Sequence, residues 1–165
     1  MVSFADIGIR LLVATLIGCT IGLNRFAHHR FIGVRTLGLV ALGAAGLVVA
    51  ALETGNSSDQ LAAASRIIQG IVTGIGFIGA GVIVQRERGH KVHGLTTAAT
   101  VWVSAVAGIL CGLGAWGVAV TVTLLVGVVL LVGGPIEKLL VRHYGSGAEG
   151  ERPTSQNGAT SEPGP

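Results

Sequence analysis

A chain of 165 residues that is half apolar, only 12% charged and carries 27 glycines has more apolar surface than a soluble domain of its size can bury. Uncharged apolar runs fill most of its first 135 positions, which excludes an ordinary soluble fold and points to a protein that lives in lipid. The formal net charge of +3 is too small to suggest a nucleic-acid partner.

Five apolar runs follow one another, each of about 17 to 20 residues and so long enough to cross a hydrocarbon core as a helix. The first extends from Phe4 to Leu23. A secretory signal places positive charge before its apolar stretch and ends at small residues, whereas here Asp6 precedes Arg10 and the run ends in Leu23-Asn24-Arg25. It reads as a retained transmembrane helix. The others extend from Thr36 to Leu52, Ile67 to Val84, Leu95 to Leu113 and Trp116 to Val132. Only Gly114 and Ala115 separate the last two, so a tight turn between antiparallel helices is implied. The predicted fold is all-α, a multi-pass membrane bundle of about five transmembrane helices over residues 1–144. Residues 145–165 are rich in Gly, Ser, Glu, Pro and Thr and cannot bury enough surface to offset their ordering entropy, so a disordered cytoplasmic tail is expected.

Lys and Arg accumulate in loops that stay on the cytoplasmic side. Arg25, Arg30 and Arg35 flank the first loop, Arg86, Arg88 and Lys91 the third, and Lys138 and Arg142 open the tail. Only Arg10 and Arg66 fall on the other side, which places the N-terminus outside. Cys19 and Cys111 lie in apolar runs and read as small hydrophobic residues. No metal-type C-x-x-C is present.

Two runs divide cleanly at helical spacing. In the third, Ile68, Ile71, Ile75, Ile78 and Val82 form a branched face expected to meet lipid. Arg66, Gln69, Gly70, Thr73, Gly74, Phe77 and Gly81 form the stripe expected to turn inward. In the fourth, Trp102, Val106, Ile109 and Leu113 oppose Thr97, Thr100, Ser104, Ala107, Gly108 and Cys111. Helices in lipid associate through close backbone approach and interhelical hydrogen bonds. Gly18-x-x-x-Gly22, Gly70-x-x-x-Gly74 and Gly108-x-x-x-Gly112, with Gly76, Gly79 and Gly81, therefore read as packing glycines. The Thr and Ser stripe has two readings: hydroxyls that bond locally or across helices, or a polar cavity for an ion or small solute.

Gly74 to Gly79 also satisfies G-x-G-x-x-G. A dinucleotide fold needs a strand before the first glycine, a helix opening after it and an acidic residue about 20 positions on. Here the pattern lies inside one apolar run, and Val101 and Trp102 stand about 20 positions after Gly81. The nucleotide reading fails.

Three stretches carry a family resemblance. They are I-G-L-N-R followed by G-V-R-T-L-G-L-V-A-L-G-A-A; R-I-I-Q-G-I-V-T-G-I-G-F-I-G-A-G-V-I; and G-L-T-T-A-A-T-V-W-V-S-A-V-A-G-I-L-C-G-L-G. In this order and spacing the chain resembles the N-terminal membrane domain of the MgtC/SapB proteins, from about Arg10 to Val132. The resemblance implies a bacterial inner-membrane protein of about five helices, tied to growth at low magnesium and to virulence, and restraining the proton-translocating ATP synthase. It implies no enzymatic activity. Two departures stand out: Asn24 occupies the place of a Glu found in many relatives, and only a short tail follows the last helix where longer members add a soluble domain.

On the cytoplasmic side Asn24, Arg25, Arg35 and Thr36 bracket the first loop, while Glu87, Thr96 and Thr97 bracket the third. If the helix ends converge, Arg35 and Glu87 pair beside a ring of hydroxyls that includes Thr100. Arg25 and Arg35 coincide with motif positions of the resemblance, as do Arg66 and Gln69 near the other surface. Asp6 and Arg10 are spaced to pair as i, i+4 neighbours, but snorkelling to the interface is the reading preferred for Arg10. His90, His93 and Glu87 are too few and too close to basic residues for a metal site. No catalytic, cofactor or metal site is expected.

Two functions remain in competition. One is a regulator of membrane energetics that contacts the ATP synthase membrane sector, another integral membrane protein or a second copy of itself within the lipid bilayer. The alternative is a transporter of a cation or small solute, which the lack of a mid-membrane carboxylate disfavours. A membrane enzyme has the least support, because Ser104 and Cys111 lack a base at comparable depth.

Overall fold

The computed structural model describes residues 3–27, 33–54, 59–84 and 94–144. They form five helices, α1 (Phe4–Ala27), α2 (Val34–Thr54), α3 (Gln60–Val84), α4 (Leu95–Gly112) and α5 (Trp116–Tyr144). All five are long and apolar enough to cross a membrane. The ends differ most from the apolar runs in two places. α3 starts at Gln60, because Leu61-Ala62-Ala63-Ala64 favours helix ahead of the hydrophobic stretch. α5 continues past Val132 and through Pro135, although its apolar span ends at Ile136.

The chain divides into two units at Leu130 and Leu131, inside α5. In the first unit α2 is the central helix, packed against α1, α4 and α3. Its Leu37, Ala41 and Ala45 are fully buried and recur every four residues, one per turn. Against them α4 presents Ser104, Gly108 and Gly112 at the same spacing. A methyl group on Gly108 would collide with the Ala41 carbonyl oxygen, and one on Gly112 would lie 2.8 Å from that of Ala45. From the other side Gly18 of α1 approaches Leu37 and Ala41, and Gly22 approaches Val34. Glycine is required here because backbone meets backbone with no room for a side chain, which is how helices gain contact where hydrophobic burial offers little.

α3 packs differently. Its Ile75 is buried with Ala44, Val48, Val101 and Ala105, and Ile67, Ile68 and Ile71 are partly buried against the same cluster. Large aliphatic chains on α3 fill the space over small residues on α2 and α4. This reverses the expected orientation over most of the helix, although Ile78 is 44% exposed, as expected. Ile68, Ile71 and Ile75 turn toward the bundle, whereas Arg66, Gln69, Gly70, Thr73, Gly74, Phe77 and Gly81 are exposed. The physical reason is volume: α1, α2 and α4 already meet through small residues, so the remaining gap needs bulk. On α4 the small and hydroxyl stripe faces inward, with Thr97, Thr100, Ser104, Ala107, Gly108 and Cys111 all buried.

Within the first unit, α5 joins through Ala119, which is buried with Ala14, Ala45 and Cys111, and through Val126 and Leu130. Its turn from α4 passes through Gly114 in the left-handed region, at φ 73°. The second unit holds the rest of α5, with Gly133, Gly134 and Pro135 in one helical turn. Residues 145–165 lie outside those described.

Candidate functional site

Polar side chains gather in three main places in the described bundle. The first is a buried hydroxyl column on the inner face of α4. Thr100 Oγ1 donates to the Thr97 carbonyl at 2.7 Å, and Ser104 Oγ donates across to the Leu37 carbonyl at 2.8 Å. Thr97, Thr100 and Ser104 are each at most 4% exposed. The column extends the α2–α4 ladder one turn beyond its glycines, so its hydroxyls serve packing. The same habit recurs elsewhere: Thr15, Thr20, Thr54, Thr73, Thr121 and Thr123 each donate to the carbonyl four residues back.

The second place joins the N-terminal part of α1 to the end of α4. Arg10 Nε donates to Asp6 Oδ2 at 2.8 Å, and Arg10 Nη1 donates to the Gly112 carbonyl at 2.8 Å. The guanidinium thus meets a backbone acceptor that the last turn of α4 leaves without a helical partner, where a positive charge is favoured. Gly114 makes room for it, since a methyl group there would lie 3.1 Å from the guanidinium carbon. Arg10 therefore bonds within the fold, to one side chain and one backbone carbonyl.

The third place is the outer face of α3, where Arg66, Gln69 and Thr73 are exposed. It does not meet the α4 column. At the other end of the bundle Arg35, Thr36 and Thr96 are exposed and Asn24 is half-buried. The side chain of Arg25 and all of Glu87 lie outside the described residues, so the expected Arg35–Glu87 pair does too, as do His90 and His93. The described candidates thus divide between a buried packing column at Thr97 and Thr100, exposed faces at Arg35, Thr36, Arg66, Gln69 and Thr96, and half-buried Asn24.

The glycines divide in the same way. Gly18, Gly22, Gly108 and Gly112 sit in backbone contacts, while a methyl group on Gly79 would make only an ordinary 3.7 Å contact with Ala98. Methyl groups on Gly70, Gly74, Gly76 or Gly81 would meet no described atom within 4 Å. Gly74 instead helps open a groove of about 470 Å³ between α2 and α3, walled by Leu39, Leu47, Ile71 and Ile78 over Ala44 and Ala105. Thr36 is its one hydroxyl-bearing lining residue. Two features had little sequence signal: the Arg10–Gly112 bond spans 102 positions, and the groove depends on which way α3 turns.

Five membrane-crossing helices, joined through glycine seams and backbone-bonded hydroxyls, define a multi-pass helical membrane protein. The MgtC family model matches residues 11–139, and the chain belongs to that family. It is 43% identical over 122 residues to Protein SrpB of Synechococcus elongatus, covering 69% of this chain and 67% of that one. It is 44% identical over 118 residues to Protein MgtC of Salmonella typhimurium, covering 72% and 48% respectively. With Protein MgtC of Brucella abortus it shares 49% identity over 102 residues, 61% of this chain and 40% of that one. The chain therefore spans about half the length or less of these MgtC relatives. No solved structure matches it.

Proposed function

We propose that this chain is a regulator of membrane energetics in the bacterial cytoplasmic membrane, acting by helix contacts on another membrane complex, most directly the membrane sector of the ATP synthase. Adaptation to low magnesium and virulence are the settings in which such control would matter. The N-terminus lies outside and the tail inside, on the distribution of Lys and Arg. Family membership supports the setting. The observation that carries the mechanism is that the interior hydroxyls of α4 already bond backbone carbonyls, at Thr97 and Leu37, whereas the free polar chemistry of α3 points outward. A transport path would need unengaged oxygen ligands within the bundle, and the α2–α3 groove is lined almost wholly by apolar side chains. Exposed Arg35, Thr36 and Thr96, with Asn24 and Arg25, then belong to the cytoplasmic contact surface.

The test is co-purification of ATP synthase subunits in mild detergent with the unaltered chain and with Gly74→Leu, which fills the open side of the groove. Recovery with the first and loss with the second is expected. Failure to recover the synthase with either, or flux of magnesium, protons or phosphate through reconstituted vesicles, would refute the regulatory reading.

A further inference from the structure

The outer face of α3 is unlike the lipid face of α5. Before Leu130, the exposed positions of α5 include Val118, Val120, Leu124, Leu125, Val128 and Val129, the branched chains that hydrocarbon favours. On α3 the positions pointing away from buried Ala64 and Ile75 recur every three or four residues as Ala62, Arg66, Gln69, Thr73, Gly76 and Ala80. All six are exposed. That is the spacing of a helix–helix seam, carrying small and polar residues of the kind seams in lipid use, with Phe77, 85% exposed, along its border.

Gln69 decides what can cover this face. The apolar span Gln60–Ile83 has 24 residues. At 1.5 Å per residue the Gln69 Cα lies only about 4 Å from its midpoint, against a hydrocarbon half-thickness of about 15 Å. Counted from the middle of the apolar run Ile67 to Val84, Gln69 lies about 10 Å out, so its Cα is within the hydrocarbon on either count. Its backbone carbonyl accepts from Thr73, but the side-chain amide has no hydrogen-bond partner among the described residues. An acyl chain offers none, so lipid alone leaves donors and an acceptor unmet at a depth where water is absent.

Arg66 sits three residues nearer the surface on the same face and makes no ion pair with any described residue. A guanidinium and a carboxamide side by side are matched by a carboxylate, which accepts from both. A second copy of this chain fits poorly. Copies share one orientation in the membrane, so a twofold axis would set Arg66 against Arg66 at equal depth.

We infer that the outer face of α3 docks a transmembrane helix of a different membrane protein, one presenting a carboxylate at the depth of Arg66 and Gln69 and small residues opposite Thr73, Gly76 and Ala80. This rests on the regulatory reading only in taking the partner to be a membrane helix. The assay contains no ATP synthase, so either idea can fail alone.

The probe is a synthetic Leu/Ala transmembrane peptide with Ala and Gly along one seam and a single Glu at the depth of Arg66, paired with a control bearing Leu in place of the Glu. Energy transfer to the full chain, labelled at its C-terminus, is measured in phosphatidylcholine vesicles. The Glu peptide is expected to associate at a roughly tenfold lower mole fraction than the Leu peptide, the effect of one or two interhelical hydrogen bonds. Arg66→Leu and Gln69→Leu should each remove most of that advantage. Gly76→Ile should weaken both peptides while leaving the unfolding midpoint unchanged, because nothing described lies within 4 Å of a methyl group there. Equal affinity for the two peptides, or an advantage indifferent to Arg66→Leu and Gln69→Leu, would overturn the inference. So would energy transfer between two copies of the chain that Gln69→Leu abolishes, because the face would then belong to a homo-oligomer.

Discussion

Adding one methyl group at Gly108 tests the central claim about packing, that α2 and α4 meet backbone to backbone. In Gly108→Ala the new carbon would overlap the Ala41 carbonyl oxygen and lie 2.9 Å from its carbon and Cα, where ordinary contact begins at 3.4 Å. None of these atoms belongs to a flexible side chain, so the helices must part by roughly 1 Å, which forfeits a quarter to a half of each dispersion contact along the seam. Overpacking of this kind costs about 1–3 kcal/mol. Straining the Ser104–Leu37 hydrogen bond one turn away adds about 0.6 kcal/mol. Alanine returns up to ~1 kcal/mol of helix propensity, so the net expectation is a loss of about 2 kcal/mol. Gly76→Ala makes the same chemical change in open space and should be neutral or slightly stabilising. Unfolding by SDS in mixed micelles, followed by fluorescence of Trp102 and Trp116, measures both. Equal midpoints for the two variants would refute the close approach of α2 and α4.

Four other substitutions probe the remaining contacts by the same unfolding assay. Arg10→Leu removes two hydrogen bonds from a side chain only 16% exposed, and a loss of about 1.5–3 kcal/mol is expected. Asp6→Asn should cost below about 1 kcal/mol, because Asp6 is 38% exposed and solvent screens the pair. Gly114→Ala places an L side chain at φ 73° and crowds the same guanidinium, for a loss of about 1–2 kcal/mol from the backbone alone; combined with Arg10→Leu it should cost less than the sum. Ser104→Ala should cost about 0.6 kcal/mol, and no more than about 1.7, by removing one interhelical bond; co-purification with the synthase should survive it.

Hydropathy made the five helices legible because a membrane-crossing segment must be apolar along its whole length, whatever its neighbours. The inner stripe of α4 was legible too, since Thr97, Thr100, Ser104 and Gly108 repeat at helical spacing and no other part of α4 offers so many small residues. The orientation of α3 was not. Lipid and a helix-bundle interior are about equally apolar, so a face of Ile68, Ile71 and Ile75 satisfies either, and only the volume left by α2 and α4 decides between them. The bond from Arg10 to Gly112 was half legible. Asp6 and Arg10 announce a pair one turn apart, but nothing in the sequence says that the end of α4 arrives beside them. The expected convergence of Arg35 with Glu87 falls outside the described residues. What sequence does not separate is a hydroxyl engaged with a carbonyl, as at Thr100 and Ser104, from a polar side chain on an exposed face, as at Arg66 and Gln69.

That separation bears directly on mechanism. In α1, α2 and α4 the close contacts run through backbone at Leu37, Ala41, Ala45, Gly108 and Gly112, which leaves little freedom to open a path between them. α3 is attached mainly by side-chain packing, through isoleucines on alanines and valines, and carries Arg66, Gln69 and Thr73 on its far side. A transporter concentrates free polar groups where its helices meet, because the solute must exchange water for protein there. This bundle places engaged hydroxyls at that position and the free guanidinium and carboxamide on the surface of its least tightly held inner helix. On the proposed regulatory reading, that polar chemistry is completed by a neighbour in the bilayer, and α1, α2 and α4 are the support that presents α3 to it.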